Sequence, residues 1–230
     1  MNHASDPIFE EQLVHLPAGP VTLEGNLVVP PDAKGIVVFA HGSGSSRFSP
    51  RNRFVARVLQ EGGLATLLFD LLTAEEERID QVTRQLRFDI PLLAKRLVAV
   101  ARWCAQQPTI GELGLGLFGS STGAAAALIA AAELPELVRA VVSRGGRPDL
   151  AGPALPKVKA PTLLIVGGRD TPVIELNEQA MAWMRAPVEL VIVPGASHLF
   201  EEPGTLEEVA NLARDWFLRH LPGPRDSSQS

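Results

Sequence analysis

With 230 residues, 46% of them hydrophobic, the chain can bury one sizeable core; residues 1–222 are expected to form a single domain, followed by a disordered polar tail over 223–230. A net charge of −5 with no long basic run excludes a nucleic-acid footprint or a polybasic membrane patch, and no apolar run reaches the ~18 residues of a membrane span. One cysteine, Cys104, rules out an intramolecular disulfide and, in its apolar helical stretch, reads as a small buried hydrophobe.

The N-terminal MNHASDPIFEEQ has neither a basic n-region nor an apolar h-region, so no signal peptide is expected and cytoplasmic residence is the default. EEQLVHLP and VTLEGNLVVP then read as a strand pair around the turn Ala18–Gly19–Pro20. From residue 36 onward, short β-branched or leucine-rich runs alternate with segments of helical period. Strands are expected over Ile36–Ala40, Ala65–Phe69, Leu113–Phe118, Val138–Val142, Thr162–Val166 and Glu189–Val193. Helices are expected near 51–61, 89–107, 122–133, 173–185 and 205–219. The alternation predicts an α/β fold, a mostly parallel sheet flanked by helices. The Gly- and Pro-rich stretch after Val142 leaves no room for a large helical cap. After Asp70, LLTAEEERIDQVTRQLRFDIP reads as a solvated loop, with a small lid as the alternative.

Gly119–Ser120–Ser121–Thr122–Gly123 joins the strand LGLGLF to the alanine-rich helix AAAALIAAAE. This is G-x-S-x-G in a strand-to-helix context: small flanking residues allow a tight reversal, and the central hydroxyl is presented above the sheet. Ser121, not Ser120, is therefore the candidate nucleophile, with a helix N-terminus beneath it to stabilise developing negative charge. The plainer alternative is an ordinary N-cap serine. Gly114, Gly116 and Gly119 also spell G-x-G-x-x-G, but they lie within a strand, and the next strand ends in Ser143 and Arg144 rather than an acid. Dinucleotide binding is not expected.

A serine nucleophile needs a base within reach and a third group to fix that base's tautomer. Gly167–Gly168–Arg169–Asp170 follows one late strand and Pro194–Gly195–Ala196–Ser197–His198 follows the next. Asp170 and His198 are therefore the candidate acid and base; Asp149, which also follows a late strand, is the weaker competitor. The order Ser121, Asp170, His198 is that of serine hydrolases built on one α/β fold. For the oxyanion, one donor should be the backbone N–H of Thr122 and the other that of Ser43 in His41–Gly42–Ser43–Gly44, with Gly44 next in line. His41 reads as an anchor for that loop. His3, His15 and His220 form no metal-ligand spacing, and neither metal nor cofactor is expected. Arg47, Arg144 and Arg147 should gather near the carboxyl ends of the strands. They either hold a substrate carboxylate or form ion pairs with Asp70, Asp89 or Asp149.

HGSGSS, GSSTG, GGRD and PGASH, in this order, resemble the dienelactone-hydrolase-like branch of the α/β-hydrolase superfamily over about residues 20 to 220. HGSGSSRFSPRN and SRGGRPDL are similar to compact bacterial hydrolases sometimes joined to a phosphoribosyltransferase domain; none is expected within this chain. Dienelactone hydrolases use a cysteine nucleophile, so with Ser121 the resemblance implies serine ester hydrolysis. The expected activity is cofactor-free cleavage of small carboxylic esters through an acyl-enzyme, with a small-molecule ester as partner. The alternatives are a thioesterase or acyltransferase with the same residues, or a binding protein on the same scaffold.

Overall fold

A computed structural model describes residues 9–223. The expectations for the extreme N-terminus, and for the tail from residue 224 on, lie outside the described residues.

The chain opens with the hairpin β1 (Glu11–Ala18) and β2 (Val21–Val28), antiparallel in register from Glu11↔Val28 to Ala18↔Val21. β3 (Ile36–Ala40) leads to α1 (Pro50–Glu61), and β4 (Ala65–Phe69) to α2 (Ala74–Thr83) and α3 (Ile90–Gln106). β5 (Leu115–Ser120) feeds α4 (Thr122–Glu133), and β6 (Val138–Arg144) is followed by a 3-10 segment, Pro148–Lys157. β7 (Thr162–Gly167), α5 (Thr171–Trp183), β8 (Val188–Val193) and α6 (Thr205–His220) complete the order. Among the described residues the strands form one eight-stranded sheet, β1-β2-β4-β3-β5-β6-β7-β8. β2 runs antiparallel to β4; from β4 to β8 every pairing is parallel.

Helices cover both faces of the sheet. The alanine-rich α4 packs with α3 and with residues of α5 in one core, while α1 and α6 lie together over the opposite face. With both faces covered, β3, β4 and β5 are buried along their whole length, which is why they read as continuous apolar runs instead of alternating ones. Cys104 is buried in the α3 core, as its setting implied. Between β6 and β7 there is only the 3-10 segment, broken by Gly152 and carrying Pro153 and Pro156 inside it.

The stretch after Asp70 differs from the expected solvated loop. Thr73 and Glu76 form a reciprocal capping box (Glu76 N–H to Thr73 Oγ1, 3.2 Å; Thr73 N–H to Glu76 Oε2, 2.9 Å), and α2 follows. Arg96 of α3 pairs with Glu76 and donates to the Leu71 carbonyl at 2.8 Å, tying this helix to the core. Buried Asp80 accepts from the Leu86 and Arg87 N–H groups (2.7 and 3.1 Å) and from Arg87 Nε at 2.6 Å. A charged sequence thus folds into a helix because two of its carboxylates, Glu76 and Asp80, are paired inward.

Strand order reverses between β3 and β5: the chain steps from β3 out to β4, then crosses back over β3 to β5. Such a switch point opens a crevice at the carboxyl ends of the strands. His41 and Ser121 sit there.

Candidate active site

Ser121 follows the last residue of β5 and occupies the N-cap position of α4 with φ 52° and ψ −124°. A left-handed φ is unfavourable for a residue with a side chain and persists only where the surroundings enforce it. Here the Ser121 N–H donates to the Arg144 carbonyl (3.3 Å) and the Ser121 carbonyl accepts from the Arg147 and Ala124 N–H groups (both 3.1 Å). The flanking glycines are needed for space. A Cβ on Gly119 would lie 2.4 Å from Ala124 Cα, and one on Gly123 2.2 Å from the Ala40 carbonyl oxygen. The Ser121 side chain makes no capping bond, although serine at that position ordinarily does.

Asp170 repeats this pattern. It stands at the N-cap of α5, a favoured place for aspartate, yet its carboxylate caps nothing. Instead Oδ2 accepts from His198 Nδ1 at 2.6 Å. That bond leaves His198 Nε2 as the ring's free nitrogen, on a side chain 41% exposed. The loop carrying His198 is held by Glu202, whose carboxylate accepts the Ser197 N–H at 3.0 Å. That bond, with the Ser197 hydroxyl, holds the Glu202 carboxyl below its ordinary range. Ser121 and His198 line one cleft of about 370 Å³ together with Ser43, Arg51 and Arg144. Asp149, the competing acid, is taken up by Arg147 (2.9 and 2.8 Å).

The two expected oxyanion donors meet at the N-terminus of α4. The Thr122 N–H has no hydrogen-bond partner among the described residues, while the Ser43 N–H donates to Thr122 Oγ1 at 3.1 Å. The two hydroxyls are 2.7 Å apart, and Ser43 Oγ donates to the Arg87 carbonyl at 2.8 Å. Asp80 of α2, with Arg87 beyond the helix, therefore buttresses the loop after β3 from outside. Sequence reasoning missed this support, along with Glu202. His41 does anchor the loop: its Nε2 accepts from the Leu71 N–H at 3.0 Å, so Nδ1 carries the proton and donates to the Gly42 carbonyl at 2.8 Å.

The arginines separate. Arg47 pairs with Asp70 and, at 2.9 Å, with Glu24, and stacks on Phe48. Arg147 is held by Asp149, whose hydrogen bond raises its pKa. Asp89 caps α3 through the Leu92 N–H at 3.1 Å. Arg144 alone of the three reaches the cleft. Arg51, which sequence reasoning passed over, lines it too. Its signal was present in Ser49–Pro50–Arg51, an N-cap and N1 proline that place Arg51 in the first turn of a helix. No group of His, Cys, Asp and Glu among the described residues could hold a metal ion, and no helix there is long and apolar enough to cross a membrane.

Residues 23–221 match the Dienelactone hydrolase family. Two Mycobacterium tuberculosis proteins, each named "Putative phosphoribosyl transferase", are 61% identical over 224 residues, 97% of this chain but 50% of their own length. The chain thus spans about half the length of these curated relatives. A crystal structure of a dienelactone hydrolase from Anabaena variabilis is 63% identical with a TM-score of 0.91, covering 93% of this chain and 99% of its own. Est1E from Butyrivibrio proteoclasticus, 16% identical, shares the fold with a TM-score of 0.75 over 90% of this chain and 98% of its own. By the span of the match and the closeness of the Anabaena structure, the chain belongs to the dienelactone hydrolase family, on the α/β-hydrolase fold.

Proposed function

We propose that the chain is a serine hydrolase that cleaves small carboxylic esters through an acyl-enzyme on Ser121. The observation that carries this reading is the pair of N-cap residues whose side chains do not cap. The Ser121 hydroxyl is held above the sheet by a strained φ of 52°, and the Asp170 carboxylate is turned to His198 at 2.6 Å.

His198 Nε2 takes the Ser121 proton as Oγ attacks the ester carbonyl, and Asp170 holds the tautomer and stabilises the imidazolium. The oxyanion that forms is met by the Thr122 N–H and by the positive end of α4, and the Ser43 N–H joins them on leaving Thr122 Oγ1, to which it donates at 3.1 Å before the attack. His198 then returns the proton to the leaving alcohol, and water repeats the sequence to release the acid. No cofactor enters these steps. A small acyl group suits the short 3-10 connection between β6 and β7, which offers little surface to grip a long chain. The name of the Anabaena relative supports the ester class, since a lactone is a cyclic ester. The exposure of His198 favours water over another acyl acceptor, and so hydrolysis over acyl transfer. The transferase name belongs to proteins of which this chain covers 50%, and the cleft residues here support hydrolysis.

The test is turnover of p-nitrophenyl acetate and labelling by a fluorophosphonate probe. Ser121→Ala should abolish both, while Ser120→Ala, at a buried hydroxyl on the cleft wall that accepts from Asn52, keeps measurable activity. Wild-type turnover by Ser121→Ala would overturn the assignment.

A further inference from the structure

Arg144 is 6% exposed at the end of β6, yet no carboxylate among the described residues pairs with it. Among the described residues its guanidinium makes one hydrogen bond, from Nη2 to Asn52 Oδ1 at 3.2 Å, and its Nε is buried without a partner there. A buried guanidinium ordinarily comes with an anion, because the charge must otherwise be desolvated without compensation. The second charge in the cleft makes matters worse. Arg51 lines the same cavity, also forms no ion pair among the described residues, and its charge opposes that of Arg144. Burial first, and Arg51 second, push the Arg144 pKa down to about 10, which still leaves it charged at neutral pH.

α1 adds a third positive contribution. Arg51 stands in its first turn, Arg53 follows, and that turn holds no acidic residue, although a helix N-terminus favours anions and disfavours cations. Two unpaired guanidiniums and a helix N-terminus thus converge beside Ser121 with nothing negative between them. A single carboxylate would balance one of the two charges. A phosphoryl group, at about −1.5 to −2 with three acceptor oxygens, balances both and can accept from two forks at once.

We propose that Arg51, Arg144 and the N-terminus of α1 form a subsite for a dianionic phosphoryl group, so that the substrate is a small ester that also carries a phosphate. The proposal rests on the hydrolase reading for its substrate, and on the cleft alone for its anion.

Inorganic phosphate is the probe, with acetate as the monoanionic comparison at matched ionic strength, because exposed charge effects are screened by salt. Phosphate should inhibit wild-type hydrolysis of p-nitrophenyl acetate competitively. By calorimetry on Ser121→Ala it should bind at least tenfold more tightly than acetate. Adding Arg51→Gln, at a partly exposed position that endangers folding little, should weaken phosphate at least tenfold, and Arg144→Met should do the same. Equal affinity for acetate and phosphate, or phosphate binding unchanged by both substitutions, overturns the subsite. The two readings fail separately. Ester turnover without phosphate binding sinks the subsite alone, whereas arginine-dependent phosphate binding without turnover sinks the hydrolase and keeps the anion site.

Discussion

Ser43 and Thr122 are joined twice: the Ser43 N–H donates to Thr122 Oγ1 at 3.1 Å, and their hydroxyls lie 2.7 Å apart. With Ser43 Oγ donating to the Arg87 carbonyl, the Thr122 hydroxyl donates to Ser43 Oγ and accepts the Ser43 N–H. The hydroxyl therefore holds the β3 loop against α4, and also occupies the N–H that the oxyanion would need.

Removing that hydroxyl without changing the side chain's shape separates the two effects. Thr122→Val frees the Ser43 N–H but loosens the loop, and the loosening should win because the oxyanion needs its donors in place beforehand. A net hydrogen bond is worth about 1 kcal/mol, so kcat should fall about fivefold with KM little changed. Steady-state kinetics on p-nitrophenyl acetate decide the matter. A rise in kcat would show the hydroxyl to be a competitor instead of a support.

The sheet was legible because its central strands are buried on both faces and so appear as uninterrupted apolar runs. Ser121, Asp170 and His198 were legible for a related reason: each follows a strand, and parallel strands deliver their carboxyl ends to one edge. The arginines were not. Sequence places Arg47, Arg144 and Arg147 near the same edge, but which of them finds a carboxylate depends on side-chain reach. Asp70 and Glu24 take Arg47, Asp149 takes Arg147, and Arg144 is left without one. The loop expected after Asp70 was a misreading with a visible cue. Thr73 and Glu76 have the spacing of a capping box, and the run of charges that suggested a solvated loop is partly paired inward through Glu76 and Asp80.

The acid is tested by comparing two aspartates. Asp170→Asn would turn a donor toward His198 Nδ1 and favour the wrong tautomer, so kcat should fall by something on the order of 10⁴. Asp149→Asn breaks only the pair with Arg147 and should stay within about threefold of wild type, as surface ion pairs contribute about 0–1 kcal/mol. A larger loss from Asp149→Asn would reverse the roles.

Asp80 reaches the cleft only through Arg87, whose carbonyl receives the Ser43 hydroxyl. Burial opposes ionisation of Asp80, but its bonds from Arg87 and from the Leu86 N–H outweigh that and hold the carboxyl below its ordinary value. Asp80→Asn should lower Tm and reduce kcat roughly tenfold, less than the hundredfold that a 1 Å misplacement can cost. Fluorophosphonate labelling should slow in proportion. An unchanged kcat alongside a lowered Tm would confine Asp80 to stability.

The last prediction concerns acid stability and His41. Burial pushes its imidazole below the ordinary value of 6.5, against the opposing pull of the Gly42 carbonyl and of Asp70, itself paired with Arg47. In the unfolded chain His41 takes up a proton as pH falls through 6.5, while in the folded protein it stays neutral to lower pH. The unfolded state then binds more protons, so His41 withdraws stability as pH drops below 6.5, until the folded value is also passed. Glu76, Asp80 and Glu202, all with lowered values, add their own acid losses, but from the carboxylate range downward. The window between about pH 7.5 and about pH 5.5 therefore excludes the carboxylates, and because His220, also lowered by burial and then by Arg219, titrates there too, it is the comparison with a His41 variant that isolates His41. His41→Gln can still accept from the Leu71 N–H and donate to the Gly42 carbonyl, but cannot titrate. It should be less stable than wild type near neutrality, and its urea midpoint should change less across that window. An equal shift in both proteins would mean that protonation of His41 contributes nothing to acid unfolding.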